Sequence, residues 1–299
     1  MSWLILALGS AVMSAVGDTL CKKAAQSADS WTVTWVRFGY ASIFLLPLLP
    51  FIDLPRWDAV FALTVAVLIP LELTAASLSM RALQLSPLSL TVPYLAFTPL
   101  FLLVVPTVLL GEKISARGAA GVVCIVLGAY WLNLQNNAAA SQGHDRGSRR
   151  KSLLSPLQAL AREKGSRLML LVAALYSVTS TLGKVAVQHS SPFFFAVFYY
   201  PLASLVMLPL TAAHARRGWR FAGGQVGLFL LIGLAVAATV VCHYLALSRV
   251  EVAYMISVKR TSMIFATLLG WWFFHEENIL QRLWGCSVML AGVILIVSA

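Results

Sequence analysis

The residues best equipped for chemistry in this sequence are charged side chains set inside apolar runs. Lys259 and Arg260 stand side by side in Ser257-Val258-Lys259-Arg260-Thr261-Ser262, within an apolar stretch from about 252 to 274. A charge at membrane depth costs about 2.5–3.5 kcal/mol on insertion scales and far more by simulation, so two adjacent cations there need compensation. One source is an anion in a water-filled cavity, gripped by the guanidinium as a bidentate fork and by the ammonium as a point charge. The other is an intramembrane carboxylate that merely locks two helices. Adjacent helical residues point about 100° apart, so both cations need not face the same space.

Other polar groups lie at similar depth. Lys184, near the end of its run, either snorkels to the interface or adds a third positive charge to the site. Lys22 raises the same choice between snorkelling and the site. Arg37, two turns inside its run, is expected to pair with Asp18 or Glu72, while Asp18 and Lys22 at i, i+4 can neutralise each other. Glu72 follows Pro70 and either titrates to carry protons or serves as counter-ion to Lys259, Arg260 or Arg37. His243, beside Tyr244, is either a donor to a ligand or a satisfied buried histidine. Tyr94, one residue after Pro93, and Tyr199 and Tyr200 are candidates to line a pathway. The four cysteines, Cys21, Cys124, Cys242 and Cys286, have no metal-ligand spacing and read as small packing residues.

The elements that must position these groups are bilayer spans. The 299 residues are 60% hydrophobic and only 11% charged, with mean hydropathy +0.83, whereas soluble domains carry about 25% charge. A window of about 20 apolar residues gives ten spans, at 3–25, 31–50, 59–80, 90–110, 116–134, 167–187, 193–213, 224–247, 252–274 and 280–298. The apolar start from Trp3 has no basic n-region and reads as the first span rather than a removable signal. Residues 135–166 form a polar linker, basic in its later part. The fourth span holds Pro93, Pro99 and Pro106. Repeated prolines break backbone hydrogen bonds, which membranes tolerate only against protein or a watery cavity, so this span is expected to bend and line one.

The halves repeat. Thr19-Leu20-Cys21-Lys22 matches Thr181-Leu182-Gly183-Lys184, Glu112 matches Glu276, Gly121 matches Gly285 and Gly128 matches Gly292. The register moves by only two residues over each half, placing Leu95-Ala96 opposite Lys259-Arg260. Five spans per copy is odd, so the second copy enters the membrane in the opposite sense. Inverted repeats of this kind build secondary transporters with a site near the midplane.

Two five-helix halves, each with a glutamate after its fourth helix (Leu110-Gly111-Glu112, Phe274-His275-Glu276) and a Gly-x6-Gly fifth helix, resemble the EamA-type branch of the drug/metabolite transporter superfamily. The resemblance implies an all-α membrane fold with ten helices as two inverted repeats, at residues 1–134 and 167–299. It leaves the substrate open among amino acids, drugs, sugars and phosphorylated metabolites. The Lys259-Arg260 pair is similar to the Lys-Arg pair with which plastid phosphate translocators, distant members, hold phosphate. Glu112 and Glu276 match the family pattern, and each is read as structural, favouring the positive end of the helix that follows it.

Enzyme chemistry fails on inventory: there is no nucleotide-binding glycine loop, metal cluster, His-Glu-x-x-His or nucleophile triad. No cofactor is expected, and the +11 net charge lies mostly in loops, with no soluble basic domain, which argues against nucleic acid as a partner. The expected partners are a small-molecule substrate and the lipid bilayer, and a homodimer is compatible with the pattern. The leading expectation is alternating access to a small organic anion, phosphorylated or carboxylated, in a bacterial inner membrane. Two alternatives remain: a proton-coupled exporter of amino acids or amphipathic drugs using Glu72 or Asp18, and a non-transporting partner or lipid-carrier flippase subunit. Loop charge puts the 135–166 linker inside the cytoplasm and both termini outside it, since Arg81, the linker, Arg216, Arg217, Arg220 and Arg282 share one face. The resemblance implies the reverse, with both termini cytoplasmic.

Overall fold

The computed structural model describes residues 2–25, 28, 30–55, 58–85, 92–141, 164–214, 225–266, 268 and 279–299, and among these the chain is helical with no strand. The first half runs Ser2–Ala24, Ser30–Leu45 with a 3-10 extension Leu46–Phe51, Ala59–Leu85, a broken fourth span, and Ala116–Ser141. The second runs Lys164–Gln188, Pro192–His214, Val226–Leu247, Val252–Lys259 with a further turn, and Ile279–Val297. Six of these helices are long and apolar enough to cross a bilayer outright, and the apolar stretches Tyr94–Leu110, Ala116–Trp131 and Trp284–Val297 are shorter. The fifth helix continues to Ser141, into the segment expected to be linker.

Many large apolar side chains face outward, although Phe61, Phe194, Phe195 and Phe229 are buried, and the first helix turns its small residues inward. Ile5, Val108, Trp284 and Ile294 are 69–76% exposed, while Ala7, Ala11 and Ala15 are fully enclosed. Water would penalise that surface at about 25 cal/mol per Å²; lipid does not. With no hydrophobic drive between helices in lipid, close packing of small residues must hold them together. The alanine stripe at every fourth position of the first helix supplies it, packing against the eighth span, where Gly17 comes up against Ala235 and Val236.

The fifth and tenth helices show the inverted symmetry at atomic level. A methyl on Gly121 would meet the Gly292 carbonyl oxygen at 2.7 Å, and one on Gly128 would meet that of Gly285 at 2.6 Å. Exchanging each glycine for its repeat mate turns the first contact into the second. The Gly-x6-Gly spacing is therefore an antiparallel crossing of two backbones about a pseudo-two-fold axis.

The fourth span is three pieces: a 3-10 helix Val92–Phe97, then Thr98–Phe101, then Val105–Leu110. Pro99 and Pro106 each sit in the first two positions of a piece, where a missing N–H costs nothing, and Pro93 lies in the first. Gly111 ends the last piece with φ 65°, a left-handed conformation that needs glycine. The ninth span breaks too: its helix stops at Lys259, turns through Arg260 and Thr261, and resumes.

At one membrane edge Asp58 caps the third helix, its Oδ1 accepting from Phe61 N at 2.7 Å, and its Oδ2 meets His189 Nδ1 of the other half at 2.7 Å. The Phe61 amide first, and the His189 ring second, hold this carboxyl below the usual aspartate value.

Candidate functional site

The ninth span's first helix is fixed at its start by the other half of the molecule. Glu112 Oε2 accepts from Val252 N at 3.0 Å, and Glu112 Oε1 takes the Lys184 ammonium, which also donates to Val250 O at 2.7 Å. Tyr254 Oη accepts from Ser115 N at 3.0 Å, in a space that only Gly118 leaves open. Val252 through Val258 are all buried, so this short rod, about 12 Å long at 1.5 Å per residue, is clamped along its length. Its far end delivers Lys259 and Arg260 to the middle of the bundle.

This geometry corrects two expectations. Lys184 neither snorkels nor adds a third cation to the site; its side chain is 10% exposed and spent on Glu112. Glu112 does favour the positive end of a helix, but that helix is the ninth, across the repeat boundary, not the fifth that follows it in sequence. Glu276 lies outside the described residues, as does the side chain of Lys22.

Lys259 and Arg260 both line a cavity of about 470 Å³, which shares walls with a second of about 440 Å³. Volumes of this size fall in the ordinary range for small-molecule sites. Arg37 Nη1 meets Asp18 Oδ1 at 3.0 Å. Both line the cavity, and the surface they keep open, 42% and 48%, belongs to that interior space. Glu72 lines both cavities, within hydrogen-bonding reach of Thr179, and makes no ion pair among the described residues. His243 Nδ1 lies 3.3 Å from Lys259 Nζ. With the ammonium donating, Nδ1 accepts, and the ring hydrogen sits on Nε2.

Tyr199, Tyr200 and Tyr244 line the same space, and Leu95 and Thr98 bring the broken fourth span to its wall. Tyr94 does not join them. It is 4% exposed, stacked at 6.1 Å on Phe97 and packed with Ala82, Met169 and Val172. The 3-10 winding of Val92–Phe97 turns that ring into the core while Leu95 takes the cavity side. Pro99 is buried in this span.

Sequence reasoning passed over Tyr176, Thr179, Ser180 and Gly183, which all line the cavity from the sixth helix. They fall at helical spacing on one face, but Ser177, Thr181 and Lys184 interleave with them as polar residues turned elsewhere, so periodicity alone did not single them out.

Among the described residues, three charges at the cavity thus have no ion-pair partner: Lys259, Arg260 and Glu72. Arg260 goes furthest, since its Nε is enclosed with no hydrogen-bond acceptor. A site of this kind can bind and release a polar small molecule, and no group of side chains able to hold a metal ion occurs among the described residues.

Comparison with known proteins agrees on the class. The sequence profile of the EamA-like transporter family matches residues 1–134 and again 163–298. A crystal structure superposes with a TM-score of 0.76 across 98% of this chain and 96% of its own, at 13% sequence identity, a likeness of fold alone. No match was found among curated protein sequences. The two-half match spans nearly the whole chain, so this protein belongs to the EamA-like transporter family and is a multi-span membrane transporter of the drug/metabolite type, not an enzyme.

Proposed function

We propose that the protein moves a small organic anion by alternating access, with Lys259 and Arg260 holding the anionic group. One observation carries this reading. Of the four cations embedded in described span interiors, Arg37 has Asp18 and Lys184 has Glu112, whereas Lys259 has only an imidazole nitrogen and Arg260 has no carboxylate. The bundle supplies counter-ions where a cation is structural, so the two left without one await a charge from outside. The ends of broken spans at the centre of inverted repeats are where transporters of this architecture bind their cargo. Lys259→Ala and Arg260→Ala should abolish uptake or exchange in proteoliposomes while expression and melting stay near wild type. Wild-type transport by either variant removes that residue from the site.

A second reading has Glu72 as a proton carrier in an amino-acid or drug exporter, favoured by its lack of an ion-pair partner. Glu72→Gln then flattens the pH profile of transport, and an unchanged profile rejects it. On orientation, loop charge favours a cytoplasmic 135–166 linker in a bacterial inner membrane. A cytoplasm-folding reporter active after Ala299 would reverse that assignment.

A further inference from the structure

The cations are only part of what the cavity leaves unpartnered. Among the described residues the hydroxyls of Tyr176, Tyr199, Tyr200 and Tyr244 make no hydrogen bond to protein, and all four rings line the cavity. Glu72 sits among them on the third span near Thr179, whose hydroxyl donates to Tyr176 O at 3.3 Å. A carboxylate offers about four lone-pair sites and no hydrogen, so most of its accepting capacity is turned to the cavity. A ligand that was anionic and nothing more would satisfy Lys259 and Arg260 and leave Glu72 facing a second negative charge inside one 470 Å³ space. That arrangement costs energy at low dielectric.

We infer that the substrate is bipolar: an oxyanion seated on Lys259 and Arg260, joined to a hydrogen-donating group, hydroxyl or ammonium, that Glu72 accepts. The tyrosine hydroxyls, able both to donate and to accept, bridge the two ends. This rests on the anion reading above and adds a requirement to it: the oxyanion alone is insufficient. Specificity of this sort is strong, because a site built to hydrogen-bond a ligand group is left with buried unpaired atoms when that group is missing.

Matched ligands test it on the purified full-length protein by thermal shift and titration. Succinate, malate and aspartate share one four-carbon diacid skeleton with hydrogen, hydroxyl or ammonium at C2. Propyl phosphate, 3-hydroxypropyl phosphate and 3-aminopropyl phosphate repeat the contrast on a phosphate head. The donor-bearing members should bind at least tenfold tighter than the member lacking a donor in whichever series binds. Glu72→Gln should erase an ammonium preference and retain part of a hydroxyl preference, since the amide oxygen still accepts, which tells the two donors apart. Equal binding within a series overturns the proposal while leaving the anion reading standing, and so does a Glu72→Gln variant that keeps the wild-type donor preference at full strength. If Glu72→Gln does not fold, the wild-type ranking decides alone. If no member of either series binds, the anion reading falls and takes this proposal with it.

Discussion

The fourth and ninth spans hold equivalent places in the two halves, and their resemblance stops at the backbone. Both abandon regular helix at the same repeat position, the fourth in the 3-10 stretch Val92–Phe97 and the ninth at the turn through Arg260 and Thr261. The fourth does so with prolines and presents Leu95 to the cavity. The ninth has none there and presents Lys259 and Arg260. Irregular backbone at membrane depth is tolerated where it borders protein or water, so the break belongs to the architecture. The charge belongs to what this chain carries. A second contrast runs along the ninth span itself: at its start a cation, Lys184, is neutralised by Glu112, and at its broken end two cations are not.

Breaking the paired end should cost the most. Lys184→Met strands Glu112 in a site where the two side chains are about 10% exposed, and removing one partner of a buried pair costs about 3–5 kcal/mol. Glu112→Gln should cost a similar amount, and the double variant less than the sum of the two, read from melts in detergent. Additive costs would deny the pairing.

The unpaired end should behave oppositely. Lys259→Leu removes a charge that lacks a partner, so melting should hold or rise while uptake falls about a hundredfold, in line with the loss of charge-assisted contacts of about 1.5–3 kcal/mol each. Leu95→Lys, which puts a cation on the equivalent wall, should lower the melting temperature. A loss of stability in Lys259→Leu comparable to that in Lys184→Met would erase the distinction between the two ends.

The repeat symmetry itself is open to test at the fifth and tenth helices. Gly128→Ala meets the Gly285 carbonyl at 2.6 Å, and Gly292→Ala meets that of Gly121 at the same 2.6 Å. Both should lose about 1–3 kcal/mol, and by comparable amounts, because the axis sets each against a glycine carbonyl, with Met289 beside Gly128 and Ile125 beside Gly292. Gly227→Ala, with nothing within 4 Å, is the control and should be neutral or slightly stabilising. A loss at only one of Gly128 and Gly292 would break the symmetry argument.

The smallest effect concerns the exposed pair at the membrane edge. The Asp58 carboxyl is held below its ordinary value by Phe61 N–H and His189, so the folded state favours its ionised form. That stabilisation is present above about pH 4 and fades as pH falls through the lowered value. Asp58→Asn should therefore lower the melting temperature slightly at neutral pH and leave it unchanged in acid, so that the small acid-side drop disappears.

Composition, hydropathy and the repeat were enough to establish an all-α membrane protein in two inverted halves, because apolar length and odd span number are properties of the chain read in order. The cations at 259 and 260 were legible for the same reason, since a charge inside an apolar run stands out locally. Partnership was not. Lys184 and Lys259 look alike in sequence, and only folding brings Glu112 across the repeat boundary to one and leaves the other in the cavity. The helix that Glu112 caps, the inward turn of Tyr94 and the gathering of Tyr176 with Glu72 are likewise decided by tertiary structure. Burial and hydrogen-bond distance depend on which helices pack together, and in a bundle of inverted repeats the neighbours that matter lie half a chain away.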